Sequence, residues 1–171
     1  MRPLSLFIST SLDGYIASPD GSVDWLLSDQ DYGYTAFYDS IDTVAMGRHT
    51  WEQLKAFGDY PYVGKRGVVF SRELGGQSDP NISFITAPAH EWLAEAKHQP
   101  GRTIWLMGGA SLVDTCLQHD LIDEFILSIH PVLLGEGLPL FRAGGPRLAL
   151  ELIDSQHFSS GLVQLTYRRS R

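Results

Sequence analysis

The sequence predicts an α/β fold with a mainly parallel mixed sheet, helices on both faces of the sheet and a C-terminal antiparallel hairpin. Three observations predict it. Short apolar, β-branched segments alternate with helix-forming segments along most of the chain, which is typical of a parallel sheet covered by helices. Two strand segments end in glycine directly before a helical segment, at Met46-Gly47 and Met107-Gly108. The two final strand segments flank the turn residues Ser159-Ser160-Gly161, as in a hairpin.

The elements of the N-terminal part are predicted from the period of apolar residues and from turn residues. The dipeptide Asp13-Gly14 marks the first loop. A carboxylate near the start of the first helix suits the helix dipole, and Asp29 or Asp31 can supply it. The predicted order is a buried strand at 4–10, a loop at 11–17, a partly helical segment at 25–38, a strand at 43–46 and a short helix at 49–57.

The rest of the chain repeats this alternation. Pro88 stands in an early-turn position of a helix, where proline is tolerated, and Gly108-Gly109 ends a strand. The predicted order is strands at 67–70 and 81–86, a helix at 88–98, a strand at 103–107, a helix at 110–118, strands at 125–129 and 132–134, and hairpin strands at 148–153 and 162–168.

Length and composition narrow the class of protein. A chain of 171 residues without linker-like segments predicts a single domain over residues 1–171. The formal net charge of −7 disfavours a nucleic-acid or anionic-membrane binder, because phosphate-rich surfaces attract basic proteins. We see neither an apolar stretch of membrane-spanning length nor a signal peptide, so we expect a cytoplasmic protein.

Cysteine and histidine give no sign of a metal site. Cys116 is the only cysteine and lies in an apolar run, which excludes an intrachain disulfide or a cysteine-based zinc cluster. We predict no bound metal, because the histidines after the first strand–helix junction lack the spacing of metal ligands. They are His90, His98, His119, His130 and His157.

The segment Gly47-Arg48-His49-Thr50 is the first candidate binding site. A helix that begins directly after a strand offers free backbone N–H groups to an anion, and Arg48 adds a charged fork suited to phosphate. The alternative is a plain strand–turn–helix junction in which Thr50 caps the helix and Arg48 is solvated. The sequence of this segment favours neither interpretation over the other.

Two further strand ends are candidates. At Gly108-Gly109 the lack of side chains lets a dinucleotide approach the backbone before the next helix; otherwise the pair forms only a tight turn. Ser71-Arg72 offers a hydroxyl and a guanidinium to a ribose 2′-phosphate, or forms only a solvated loop end. Ligands of such sheets bind at the carboxyl ends of the strands, where these segments are predicted to lie.

In this order, the loop Asp13-Gly14-Tyr15-Ile16, Trp25, the stretch 46–52, Ser71 and Gly108-Gly109 resemble the dihydrofolate reductase superfamily. The stretches 121–125 and 130–141 resemble more closely the reductase domain of the bifunctional riboflavin-biosynthesis deaminase–reductase and its stand-alone relatives. The resemblance covers essentially the whole chain. It implies a dihydrofolate reductase-like three-layer sandwich.

The resemblance also implies an NADPH-dependent enzyme, with the cofactor lying across the strand ends. Arg48, Ser71 and Arg72 would lie near the 2′-phosphate that distinguishes NADPH from NADH. The other implied cofactor-binding residues are Ser9 and Ile16 at the nicotinamide, Gly47, His49 and Thr50 on the pyrophosphate and adenosine side, and Met107, Gly108, Gly109, Ala110, Ser111 and Leu112 around the nicotinamide-side ribose and pyrophosphate.

A catalytic carboxylate is implied on the helix before the Met-Gly-Arg strand, and the family spacing places it at Asp31, with Asp29 as its neighbour. Asp31 would assist protonation of the substrate or hold its donor edge; the alternative is an exposed carboxylate at a helix start. Trp25 resembles the tryptophan on the lid side of the site and would contact substrate. Its alternative is ordinary core packing.

The implied function is reduction of a small heterocycle, as by 5-amino-6-(5-phosphoribosylamino)uracil reductase of riboflavin biosynthesis. The alternatives are dihydrofolate reductase and a non-catalytic dinucleotide-binding protein. The chain lacks the zinc motifs of the deaminase, and Lys65-Arg66 and Arg142 are expected to be solvated surface charges rather than a phosphate site. The apolar residues of 125–134 and 138–141 are consistent with a homodimer, and equally with burial of the run in the core of one subunit.

Overall fold

The computed structural model describes residues 1–73 and 78–170, which form strands and helices in alternation. The strands are β1 (Leu4–Ser11), β2 (Tyr15–Ala17), β3 (Ile41–Gly47), β4 (Arg66–Phe70), β5 (Ile82–Ile85), β6 (Thr103–Gly108), β7 (Glu124–His130), β8 (Leu138–Pro139), β9 (Leu150–His157) and β10 (Val163–Arg169). The helices are α1 (Tyr34–Ser40), α2 (Arg48–Ala56), α3 (Ala89–His98) and α4 (Ala110–Gln118).

Eight of these strands form one sheet in the order β5-β4-β3-β6-β1-β7-β10-β9. The strands from β5 to β7 pair in parallel, whereas β10 pairs antiparallel with both β7 and β9. The register brings Met46 opposite Gly108 and Ser11 opposite His130. The carboxyl ends of β3, β6, β1 and β7 therefore meet at one edge of the sheet.

The two faces of the sheet carry separate apolar cores, because successive strand residues point to opposite faces. Ala45 and Val68 face helices α3 and α4, in a core that includes Leu93 and Val113. On the other face, Val44, Met46 and Val69 pack with Phe37 of α1 and Trp51 of α2. Helices thus cover both faces, as the sequence predicted.

The segment predicted to be partly helical, 25–38, contains the start of helix α1, which begins at Tyr34 directly after left-handed backbone at Tyr32 and Gly33. One predicted strand was wrong. Residues 132–134 form no strand; the backbone of Val132 accepts one hydrogen bond from Leu12, at 2.9 Å, and Leu133 is exposed. A short strand, β8, follows instead and pairs with β2.

The loop between β1 and β2 is fastened to the segment before β8 by one carboxylate. Asp13 accepts hydrogen bonds from the Ser11 hydroxyl at 2.6 Å, the Gly135 N–H at 2.8 Å and the Leu134 N–H at 3.1 Å. These bonds, the Ser11 hydroxyl first, lower the pKa of the Asp13 carboxyl. At Gly137, where φ is +152°, a Cβ would approach the Ala17 carbonyl oxygen to 2.2 Å, so only glycine fits beside β2.

A buried ion pair joins α3 to the start of β1 and the segment before β7. Lys97 is 5% exposed, and its Nζ donates to the Leu121 carbonyl at 2.7 Å and to Asp123 Oδ2 at 2.6 Å. The same carboxylate accepts the backbone N–H of Leu4 at 2.8 Å. Because Lys97 is buried and Asp123 is only about one fifth exposed, the pair is sensitive to loss of either member.

Replacing Lys97 by Met should lower the free energy of unfolding by about 2 kcal/mol, because the partly buried Asp123 carboxylate then loses the Lys97 ammonium. Lys55→Met, at an exposed position of α2, is the control and should change stability by less than about 0.5 kcal/mol. Denaturant unfolding measures both. Equal effects of the two substitutions would contradict the assigned role of Lys97.

Candidate functional site

A cavity of about 1130 Å³ lies at the carboxyl edge of the sheet. It opens where β3 ends at Gly47 and β6 ends at Gly108, and α2 and α4 begin directly after these strands. Because α2 lies on the face with Trp51 and α4 on the face with Val113, the chain leaves two neighbouring strands in opposite directions. Such a point creates a crevice at the sheet edge, where α/β proteins bind ligands.

Both helices open onto the cavity through unobstructed N-termini. The N-cap residues are Gly47 and Gly109, and neither helix has a side-chain cap in the described part of the chain. The first backbone N–H groups of a helix have no intrahelical partner and favour an anion. Thr50 lies inside α2, so the alternative in which Thr50 caps this helix was wrong.

The glycines bring the two helix starts close together. A Cβ on Gly47 would lie 3.9 Å from both the Gly108 carbonyl oxygen and the Gly109 nitrogen, and a Cβ on Gly109 would lie 3.8 Å from the Thr50 hydroxyl. Gly108 has φ of +120°, and its peptide bond to Gly109 is cis. The result is a cradle of bare backbone, bordered by the Thr50 hydroxyl, that one extended ligand can span.

Arg48 is the principal cation at this cradle. Its Nε lies 2.7 Å from Glu52 Oε1, and its Nη1 lies 3.6 Å from Glu73 Oε2. The hydrogen bond to Glu52 raises the pKa of the Arg48 guanidinium and lowers that of the Glu52 carboxyl. The guanidinium is about half exposed, so both carboxylates are neighbours that an incoming phosphate would displace or share.

Most of the residues expected to bind the cofactor line this cavity. They are Ile16, Gly47, Arg48, His49, Thr50, Ser71, Arg72, Gly109, Ala110, Ser111 and Leu112. Ser9, Met107 and Gly108 are not among the lining residues; the Met107 side chain packs with the aromatic core near Tyr62, and Gly108 packs beside Ile8. Their assignment to cofactor binding stays a prediction.

Several lining residues were missed by the sequence analysis. Thr86, Ala87 and Pro88 follow β5 and reach the same edge, which the rule that found Ser71-Arg72 would also have indicated. His90 and His119 stack with ring centroids 3.7 Å apart and both line the cavity. Arg142 lines it as well and is exposed, as expected for a solvated surface charge.

Asp31 is exposed and lies outside the residues that line the cavity. One of its oxygens accepts the Thr35 hydroxyl at 2.6 Å and the Thr35 N–H at 3.1 Å. It therefore supports the first turn of α1, as in the alternative of an exposed helix-start carboxylate. The catalytic assignment stays a prediction. Its neighbour Asp29 accepts a hydrogen bond from the Tyr32 hydroxyl.

Trp25 lies outside the cavity lining and against the end of β7. Its ring meets His130 edge-on, with centroids 5.3 Å apart and an interplanar angle of 86°. Among the described residues, neither Trp25 Nε1 nor His130 Nε2 has a hydrogen-bond partner, although both atoms are buried. An unpaired buried polar group costs about 1–3 kcal/mol, so this pair calls for an explanation.

Other residue classes add little to the site. Burial raises the pKa of the Cys116 thiol to about 12, which keeps it protonated and unreactive. Within residues 1–73 and 78–170 there is no cluster of three or more potential metal ligands. No helix in these ranges has the length and apolarity needed to cross a membrane.

The expected dimer surface is only partly available. Phe125 and Leu140 are buried inside the subunit, whereas Leu133, Leu138 and Phe141 are exposed. The edge strand β9 adds further exposed apolar residues, Leu150, Leu152 and Ile153. The homodimer stays a prediction, with its apolar surface shifted toward the exposed part of the chain after His130.

Comparison with known proteins identifies relatives over the whole chain. A family model described as the RibD C-terminal domain matches residues 2–164. The chain is 40% identical over 173 residues to the uncharacterized protein YwjB of Bacillus subtilis strain 168, covering 99% of each chain. The predicted resemblance to stand-alone relatives of this domain is thereby confirmed.

Solved structures share the fold. A provisionally named riboflavin biosynthesis protein of a Shewanella species superposes with a TM-score of 0.86 at 30% identity, covering 99% of both chains. A diaminohydroxyphosphoribosylaminopyrimidine deaminase/5-amino-6-(5-phosphoribosylamino)uracil reductase of Thermotoga maritima has a TM-score of 0.73 at 17% identity, and the match covers 99% of this chain and 57% of that one. The predicted dihydrofolate reductase-like fold is confirmed.

Asp31→Ala should lower the free energy of unfolding by about 1 kcal/mol, because the first turn of α1 loses its acceptor. Asp31→Asn keeps an acceptor oxygen and should cost less, and Asp39→Ala on the exposed part of the same helix is the control. Thermal and denaturant unfolding measure all three. Unchanged stability in Asp31→Ala, together with loss of turnover, would favour the catalytic assignment instead.

Proposed function

The chain belongs to the family of RibD C-terminal domains, and we propose that it is an NADPH-dependent reductase of a small heterocyclic substrate. Family and fold support a reductase of the riboflavin-pathway type. The observation that supports the cofactor is the cradle of Gly47, Gly108 and Gly109, at which two helix N-termini open onto one cavity. A dinucleotide pyrophosphate is the anion that such a paired arrangement suits.

The residues present fit NADPH in size and charge. A cavity of about 1130 Å³ slightly exceeds the roughly 300–1,000 Å³ of ordinary small-molecule sites. The N–H groups at the starts of α2 and α4 would hold the pyrophosphate, with the Thr50 hydroxyl beside them. Arg48, Ser71 and Arg72 would hold the 2′-phosphate, since guanidinium groups match the geometry of phosphate.

The reaction divides between cofactor and protein. When bound, the nicotinamide supplies the hydride. The chain would orient it with the end of β6 on one side and Ile16 of β2 on the other, because Ile16 and Gly109 line the same cavity. The β2–β8 pair, held by Asp13 and the close approach at Gly137, would shield the reacting atoms from water.

The substrate end is proposed near the carboxyl ends of β1 and β7. Arg142, Leu138 and Pro139 line the cavity on this side, next to β2. A basic group beside an apolar wall suits a heterocycle that carries a phosphorylated sugar, such as the 5-amino-6-(5-phosphoribosylamino)uracil named for the Thermotoga maritima enzyme. Arg142 is the residue we assign to that phosphate.

Gly109→Ala should weaken NADPH binding by at least about tenfold without loss of thermal stability. Gly109 has φ of −72°, which alanine adopts without strain, and the new methyl group meets only the Thr50 hydroxyl, at 3.8 Å. It would, however, stand where the pyrophosphate approaches the backbone. Gly145→Ala, outside the cavity, is the control. Equal NADPH affinities of the two variants would contradict the proposal that the pyrophosphate binds at the glycine cradle.

Arg48→Ala should weaken NADPH binding about tenfold more than NADH binding, because only NADPH carries the 2′-phosphate. Arg66→Ala, whose guanidinium contacts Ser83 away from the cavity, should leave the ratio of the two affinities unchanged. Equilibrium titration with each cofactor measures the ratio. An equal loss of both affinities would contradict the 2′-phosphate assignment.

The reductase itself is tested by NADPH oxidation with two substrates, the phosphoribosylaminouracil and dihydrofolate. We expect oxidation with the uracil and a reduced sugar product. Oxidation only with dihydrofolate would replace the proposed substrate by a folate. Saturable NADPH binding without oxidation of either mixture would instead favour a non-catalytic dinucleotide-binding protein.

A further inference from the structure

His90 and His119 form a stacked pair of rings on the wall of the cavity. Their ring centroids lie 3.7 Å apart, and the ring planes differ by only 7°. Both residues line the cavity. His119 is exposed and His90 is half-buried, so the pair leaves aromatic surface open to a ligand. Neither residue belongs to the stretches of sequence that carry the family resemblance.

Two helices bring these rings together. His119 is the C-cap residue of α4, and Ser111 and Thr115, eight and four residues earlier, line the cavity on the same face of that helix. Because helical side chains lean toward the helix N-terminus, this face forms one continuous wall from the cradle at Gly109 to the stacked rings. His90 is the second residue of α3 and follows the end of β5.

The sheet order places the pair beyond the proposed 2′-phosphate site. From the cradle at Gly47 and Gly109, where β3 and β6 end, the sheet continues through β4 to the edge strand β5. Ser71 and Arg72 follow β4 and line the cavity, and His90 follows β5. A dinucleotide with its pyrophosphate at the cradle and its 2′-phosphate at the end of β4 therefore directs its base toward the end of β5.

We propose that the pair of His90 and His119 is a stacking platform for the adenine base of the cofactor. His90 covers one face of the His119 ring, and the base stacks on the other face. The base extends a stack that already exists, so little side-chain freedom is lost on binding. This inference rests on the proposed NADPH site and names the residues that recognise the base.

Stacking and charge at this pair can be separated by substitution. An uncharged aromatic ring still stacks on a base, whereas it offers nothing to a phosphate. Glu91 Oε1 lies 3.9 Å from His90 Nε2, so a positive charge on His90 already has a carboxylate beside it and attracts an incoming anion less. Phenylalanine at position 119 keeps the stacking face, and leucine removes it.

The test titrates three probes into the full-length protein: NADPH, adenosine 2′,5′-bisphosphate and reduced nicotinamide mononucleotide. His119→Leu should weaken binding of NADPH and of the bisphosphate about tenfold, as loss of one base-stacking side chain does, and leave the mononucleotide unaffected. His119→Phe should retain most of the parent affinity. His98→Leu, at an exposed position of α3 outside the cavity lining, is the control and should bind all three probes as the parent protein does.

A second measurement uses the parent protein alone. The ring proton NMR resonances of His119 should move upfield on addition of the bisphosphate, because protons above an aromatic ring are shielded. They should stay in place on addition of inorganic pyrophosphate, which carries the charge without the base.

Several results would overturn the platform. They are absence of bisphosphate binding to the parent protein, equal bisphosphate affinities of the parent and His119→Leu, an equal loss in the leucine and phenylalanine variants, and ring resonances that do not move when the bisphosphate binds. Bisphosphate binding that His119→Leu weakens, in a protein that does not bind NADPH, would support the platform and contradict the proposed cofactor. NADPH binding of the same affinity in every variant would contradict the platform and leave the proposed cofactor standing.

Discussion

The site depends on one constraint of the backbone. β3 and β6 are parallel neighbours, and the helices that follow them lie on opposite faces of the sheet. The backbone segments that follow β3 and β6 must therefore diverge at the sheet edge. Gly47 and Gly109, the N-cap residues of α2 and α4, lie where they diverge. Side chains at these positions would fill the space between the helix starts. With glycine there, two sets of unpaired N–H groups face one cavity.

The cavity carries positive side chains within a protein of negative net charge, and carboxylates pair with one of them. The chain carries a formal charge of −7, yet Arg48, Arg72 and Arg142 all line the cavity. Glu52 and Glu73 pair with the Arg48 guanidinium, so a phosphate bound to Arg48 would exchange one anionic partner for another. Such an exchange favours selection among cofactors by geometry over indiscriminate attraction of anions.

Sequence reasoning found the parts of the site that depend on local pattern. Glycine directly after an apolar strand and before a helix predicts a backbone cradle at Gly47 and Gly109 without knowledge of which strands are neighbours. The position of Arg142 at the cavity and the contact of Trp25 with His130 could not be predicted in this way, because they depend on pairings between distant segments, β2 with β8 and β1 with β7. The sequence also could not give Tyr34 as the first residue of α1. Apolar residues before it, such as Trp25, contact distant parts of the fold rather than one face of a helix.

Calorimetric titration of the purified protein with NADPH and NADH tests whether this cavity binds NADPH. We expect saturable binding of one NADPH per chain, about tenfold or more tighter than NADH because of the 2′-phosphate contacts. Absence of saturable binding of either dinucleotide would show that the cavity is not a dinucleotide site.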